Sequence, residues 1–227
     1  MMSEFENITL SDNTVSAIGQ MRNSTLVYYL GNPDAKRRIL IVGNSITRHG
    51  PDEHIGWFGD YGMSASKEEN DYVHRLARKL NDAFIMVRQL SAWERGYVDG
   101  SFSDSLEEER AFCADEIIFN LGENVCPLKS EEEKAKFKGA IESLLSLMNP
   151  KNAKIYFCTC FWESGSVDGV IREVAKERNM PVVELGEFGK DKKYMAIGLF
   201  EHRGVAIHPG DLGMEAIADR LFQTMRG

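Results

Sequence analysis

Long apolar runs are missing from this sequence. No window approaches the ~18 consecutive apolar residues that carry a helix across a bilayer, so no helical membrane span is expected and no membrane partner. Met1-Met2-Ser3-Glu4-Phe5-Glu6 has neither the basic start nor the apolar stretch of a secretory signal. Positive charge is scarce: 27 Lys and Arg stand against 35 Asp and Glu, a formal net charge of −8. Without a positive field the chain is a poor match for phosphate backbones, and nucleic acid is not an expected partner. The one basic run, Lys36-Arg37-Arg38, reads as a solvated strand entry. Cysteine is also sparse, at four residues: Cys113, Cys126, Cys158 and Cys160. Four could form two bridges, but nothing else in a chain this long suggests a disulfide scaffold. Cys158-Thr159-Cys160 is not a CxxC pair, no second pair supplies zinc spacing, and strand alternation would place both thiols on one face. Reduced cysteines, no metal, no cofactor and a cytoplasmic setting are the expectations. Internal repeats and low-complexity linkers are absent as well.

What the chain does have is enough apolar residue, 43% in 227 positions, for one self-sufficient core. Residues 1–37 are polar and mixed, with a short apolar stretch at 26–30 and a turn at Gly31-Asn32-Pro33-Asp34. They read as an N-terminal extension holding a small strand, and 38–227 as the main domain. Within that domain, strand and helix patterns alternate. Short β-branched or aromatic runs occur at 39–42, 84–87, 116–121, 154–158 and 182–184. Between and after them fall helical stripes: Tyr72, Val73, Leu76, Ala77 and Leu80; Phe137, Ile141, Leu144, Leu145 and Met148; Val167, Val170, Ile171, Val174 and Ala175; Met214, Ile217, Ala218, Leu221, Phe222 and Met225. This is the pattern of an α/β domain whose five-stranded, mostly parallel sheet is covered on both faces. Such sheets take ligands beyond the carboxyl ends of their strands.

Those strand ends carry chemistry. Gly43-Asn44-Ser45-Ile46-Thr47 follows the first strand, Ser91-Ala92-Trp93-Glu94-Arg95-Gly96 the second, and Gly122-Glu123-Asn124 the third. His208-Pro209-Gly210-Asp211 follows the fifth after a loop. A hydroxyl, an imidazole and an amide at one sheet edge are the inventory of acyl transfer: nucleophile, base and oxyanion donor. Taken singly, each has a plainer role. Ser45 suits a helix cap, Asn124 a turn, His208 a packed loop, and Asp211, three residues after His208, the N-cap of the last helix. The other histidines, His49, His54, His74 and His202, show no ligand spacing.

Gly43-Asn44-Ser45-Ile46-Thr47 resembles the first signature of the SGNH (GDSL-like) hydrolases, with Asn in place of the commoner Asp. Gly122-Glu123-Asn124 is similar to their third, with Val125 where aspartate is usual, and 208–214 is similar to their histidine signature. The resemblance implies a flavodoxin-like three-layer sandwich and metal-independent hydrolysis of an ester. It implies Ser45 as nucleophile and His208 as base. The backbone N–H of Ser45 and the side-chain amide of Asn124 are the implied oxyanion donors. Two departures stand out. The family's second signature is a glycine that gives a third oxyanion N–H; counting from the strand end puts Glu94 there, with Gly96 the alternative. The usual triad aspartate, three residues before the histidine, is Val205. A backbone carbonyl, Glu201 or Glu94 is left to orient His208.

The aromatic and glycine-rich stretch 48–63 reads as a pocket wall, joined by Phe161-Trp162-Glu163 and Trp93. The expected substrate is a small or carbohydrate-borne acyl ester, an O-acetyl group being one candidate. The alternatives are a thioesterase or lysophospholipase-like acyl hydrolase and, in another class, a ligand-binding domain that has lost its acid. The sequence does not set the oligomeric state.

Overall fold

The computed structural model describes residues 27–227. The expected extension therefore lies outside the described residues from 1 to 26. Its remaining part forms strand β1 (Val27–Gly31), and the five expected strands follow as β2 (Arg38–Gly43), β3 (Phe84–Gln89), β4 (Glu116–Asn120), β5 (Lys154–Cys158) and β6 (Val182–Val183). They make one six-stranded sheet in the order β1-β3-β2-β4-β5-β6. β2 to β6 are parallel, and β1 runs antiparallel along β3, Val27 opposite Arg88 and Gly31 opposite Phe84. The sheet thus has one strand more than the sequence pattern implies, because the short strand of the extension adds to its edge.

The strands are buried on both faces, which is why they read as apolar runs rather than as alternation. Leu40, Val42, Met86, Ile117, Phe119, Ile155 and Phe157 belong to the core under helices α4 (Glu131–Met148) and α5 (Gly165–Glu177). Ile39, Ile41, Ile85, Val87, Ile118, Tyr156 and Cys158 face the other layer, built from α1 (Tyr72–Leu80) and α7 (Asp211–Arg226). Each fully buried Leu, Ile, Val or Phe stabilises the fold by ~1.5–3 kcal/mol relative to exposure. α4 starts with a capping box, Ser130 and Glu133 each accepting from the other's backbone N–H. Asp71 caps α1 by accepting from the His74 N–H. α7 is different: its N-cap is Gly210, and Asp211 does not take the cap role. Its carboxylate accepts instead from the Ser66 N–H, the Ser66 hydroxyl and the Asn70 amide, tying the 66–70 loop to the start of α7.

The cysteines are free. Cys158 and Cys160 do not share a face, since β5 ends at Cys158 and the chain turns; Cys158 packs in one layer and Cys160 in the other. Among the described residues no helix is long and apolar enough to cross a membrane. Counting only the parallel strands, the order β3-β2-β4-β5-β6 reverses direction between β2 and β4. The loops leaving those two strands start at this reversal, the position where doubly wound sheets bind ligands.

Candidate active site

Ser45 sits in a tight turn directly after β2. Gly43 makes the turn possible, since a Cβ there would lie 1.8 Å from Thr47 Oγ1. The Asn44 carbonyl accepts from the Thr47 and Arg48 N–H groups, and Asn44 Oδ1 accepts from the Ile46 N–H at 3.1 Å. Thr47 is fixed in turn by a 2.7 Å bond with the Tyr72 hydroxyl, to which Asn120 donates at 3.2 Å. Ser45 opens no helix, so the cap reading does not apply; its hydroxyl is 2.8 Å from His208 Nε2.

His208 follows the single-turn helix α6 (Arg203–Ala206). Its backbone N–H donates to the Val205 carbonyl, and its Nδ1 lies 2.6 Å from the Gly204 carbonyl. A carbonyl can only accept, so the network places the hydrogen on Nδ1 and leaves the Nε2 lone pair toward the serine hydroxyl. Trp162 stands at 81° to the imidazole with ring centroids 4.8 Å apart. Burial is the main reason the imidazole is pushed down to about 4, with the nearby His49 acting in the same direction and the Gly204 carbonyl against it. Val205 is fully buried against Trp57 and Met63, and its carbonyl accepts from Ser64 Oγ at 2.6 Å. Of the three groups the sequence left open, the backbone carbonyl is the one at the ring nitrogen. Glu201 is exposed and lines a cavity elsewhere, and Glu94 is engaged on the opposite side of the site.

Glu94 lies in the short helix α2 (Ser91–Gly96), 1% exposed. Its backbone N–H donates to the Leu90 carbonyl at 3.3 Å, so the helix uses the group that the resemblance assigns to an oxyanion. The side chain does something else. Oε1 accepts from Asn44 Nδ2 at 3.1 Å and from the Gly122 N–H at 2.5 Å, and Oε2 accepts from Asn124 Nδ2 at 2.5 Å. Arg95 holds the other end of the same amide, Nη2 to Asn124 Oδ1 at 2.9 Å. Burial pushes the Glu94 carboxyl up, and the N–H groups of Gly122, Asn124 and Asn44 pull it back down. Glu123 is also raised, by burial and by Glu94, and accepts from the Phe161 N–H.

The 48–63 stretch divides. Arg48 is buried and paired in two places with Asp60, and Trp57 is core, donating to the His49 carbonyl at 2.9 Å. Phe58 is 72% exposed and, with Tyr61 and Phe200, lines a cavity of about 350 Å³. Next to it Glu53, His54, Glu201 and His202 line one of about 590 Å³. Trp93 is no part of a wall: it packs in the core against Phe119 and Phe137. The sequence reading offered a backbone carbonyl for His208 but not Gly204 as its source, since an acceptor carbonyl leaves no trace in residue identity.

These elements define an α/β fold with a serine–histidine pair at its switch point. The fold is that of SGNH/GDSL-like esterases and lipases. A lipase/acylhydrolase from Enterococcus faecalis superposes with a TM-score of 0.54 at 15% identity, over 84% of this chain and 96% of the other. The psychrotrophic esterase EstA from Pseudoalteromonas sp. gives 0.51 at 12% identity, over 84% and 97%. A two-domain esterase active on acetylated mannans gives 0.52 at 16% identity; the match covers 84% of this chain but only about half, 49%, of that one. No protein-family model and no curated protein matches the chain.

Proposed function

We propose that this protein is a metal-independent serine esterase that works through an acyl-enzyme on Ser45. The observation that carries the reading is the 2.8 Å approach of Ser45 Oγ to a His208 whose other nitrogen is satisfied by a carbonyl. The neutral imidazole takes the hydroxyl proton as Ser45 Oγ bonds to the acyl carbon. The tetrahedral oxyanion is met by the Ser45 N–H and the free Nδ2 hydrogen of Asn124. As the C–O bond breaks, the imidazolium returns its proton to the leaving alkoxide. Water then repeats the sequence: His208 takes its proton, the carboxylic acid departs and Ser45 is restored.

Among the described residues it is the Gly204 carbonyl, not a carboxylate, that meets Nδ1 of His208. That arrangement suits esters, whose alkoxide leaving groups need less assistance than amines. The substrate we assign is a small or carbohydrate-borne acyl ester, with O-acetyl as the leading acyl group. Action on acetylated mannans by a protein of this fold is consistent with that.

The test is hydrolysis of p-nitrophenyl acetate together with labelling by a fluorophosphonate. The wild-type protein is expected to turn over and to carry the label on Ser45, and Ser45→Ala to lose both while keeping its fold. Undiminished hydrolysis by Ser45→Ala refutes the mechanism.

A further inference from the structure

Resting on that reading, a role emerges for the buried carboxylate of α2, Glu94. Three loops meet at Glu94. It accepts from Asn44, the neighbour of the nucleophile after β2; from Gly122 N–H after β4; and from the Asn124 amide two residues on. Its own loop follows β3. Counting the Asn124 N–H, four donors point at its two oxygens, which therefore act as acceptors toward all three loops.

The consequence for Asn124 is specific. A primary amide has two ends that differ only in chemistry, and it flips unless its partners choose. Here a carboxylate can accept only from Nδ2 and a guanidinium can donate only to Oδ1. Glu94 and Arg95, adjacent in sequence, thus grip opposite ends of one amide and allow a single orientation. One Nδ2 hydrogen is used on Glu94 and the other remains for the oxyanion. We infer that Glu94 is a positioning residue, whose side chain locks the Asn124 amide with its donor end toward the reacting carbonyl and in register with the Ser45 turn.

A negative charge behind an oxyanion donor opposes the developing charge, so the placement makes sense only if fixing the donor is worth more than the repulsion costs. Preorganised donors are worth most when they need no reorientation in the transition state.

Glu94→Gln separates this from simple structural support, because Gln keeps the shape and brings an NH₂ that faces N–H groups. Asn124 then gains by turning its Oδ1 toward position 94, and the donor end is lost. Removal of one oxyanion donor lowers kcat ~10²–10³-fold, and Glu94→Gln should reach about 10-fold or more of that, with KM for p-nitrophenyl acetate within about 2-fold of wild type. The decisive measurement is the cycle with Asn124→Ala. If Glu94 acts through that amide, Glu94→Gln in the Asn124→Ala background lowers kcat less than 2- to 3-fold further. Full multiplication of the two losses, or a loss in KM alone, overturns the inference. Arg95→Met, an exposed change that leaves the core untouched, covers the case in which Glu94→Gln does not fold: combined with Asn124→Ala it too should add nothing to kcat. Because Ser45→Ala is assayed alongside, failure of the esterase reading shows there, whereas failure of the positioning role shows only in the cycle.

Discussion

The two halves of the site are held in opposite ways. On the base side, His208 is fixed by a main-chain carbonyl, a perpendicular tryptophan and a buried valine, with no charged group on the ring nitrogen. On the oxyanion side, Asn124 is fixed by a carboxylate and a guanidinium. Ordinarily a triad of this kind puts its carboxylate on the histidine. Here the buried carboxylate stands on the other side. The base is accordingly tuned by desolvation and the donor by charge, and each half should respond to a different kind of perturbation.

The largest effect expected is on the charged half. With Asn124 as the proposed oxyanion donor, Asn124→Ala should lower kcat ~10²–10³-fold while KM stays near its wild-type value. A loss confined to KM would show that the amide holds the ground state instead.

The next breaks the contrast directly by placing a carboxylate three residues before His208. Val205 is fully buried among Trp57 and Met63. Val205→Asp puts an unpaired charge there, and stability should drop by about 3 kcal/mol or more. No gain in kcat is expected, because Nδ1 already has its partner in Gly204. Thermal unfolding and steady-state kinetics on one preparation check both halves; a raised kcat would mean that the ring turns to accept the acid.

The smallest effect is on pH dependence. With His208 held at about 4 by burial, kcat/KM should be level around neutrality and fall only with an apparent pKa near 4. Trp162→Ala opens one side of the ring to water and should move that limb upward, toward the ordinary histidine value of ~6.5. Stability follows the same group. Between ~6.5 and about 4 the unfolded chain binds a proton that the folded one refuses, so this contribution is intact above that window and is lost as pH falls through it. An unmoved limb in Trp162→Ala would assign the desolvation to other neighbours.

Much of the architecture was legible because it rests on side-chain pattern. The apolar runs at 39–42 and 116–121 mark central strands, and Gly43 to Thr47 marks a turn that only glycine can enter. The positions of Ser45, Asn124 and His208 were legible for the same reason, as motifs at strand ends. What the pattern hid was main-chain work and direction. Gly204 serves through a carbonyl, which every residue possesses. Glu94 was visible as an oddity, but its expected contribution was an N–H that α2 uses internally, while its side chain reaches into the site. Trp93 looked like a wall residue because its place after a strand end is informative and its direction, into the core, is not.

The spacing of these bonds along the chain has a bearing on how the site comes into being. Both ring-side and backbone donors of His208 close within residues 204–208, spans of three and four residues. Glu94 reaches 50 residues back to Asn44, and 28 and 30 forward to Gly122 and Asn124. Local closures cost little chain entropy, whereas the long ones must wait until the intervening segments are in place. The hydrogen bonds that orient the base therefore close within one short turn of polypeptide, while those of Glu94 form only once β2, β3 and β4 lie side by side.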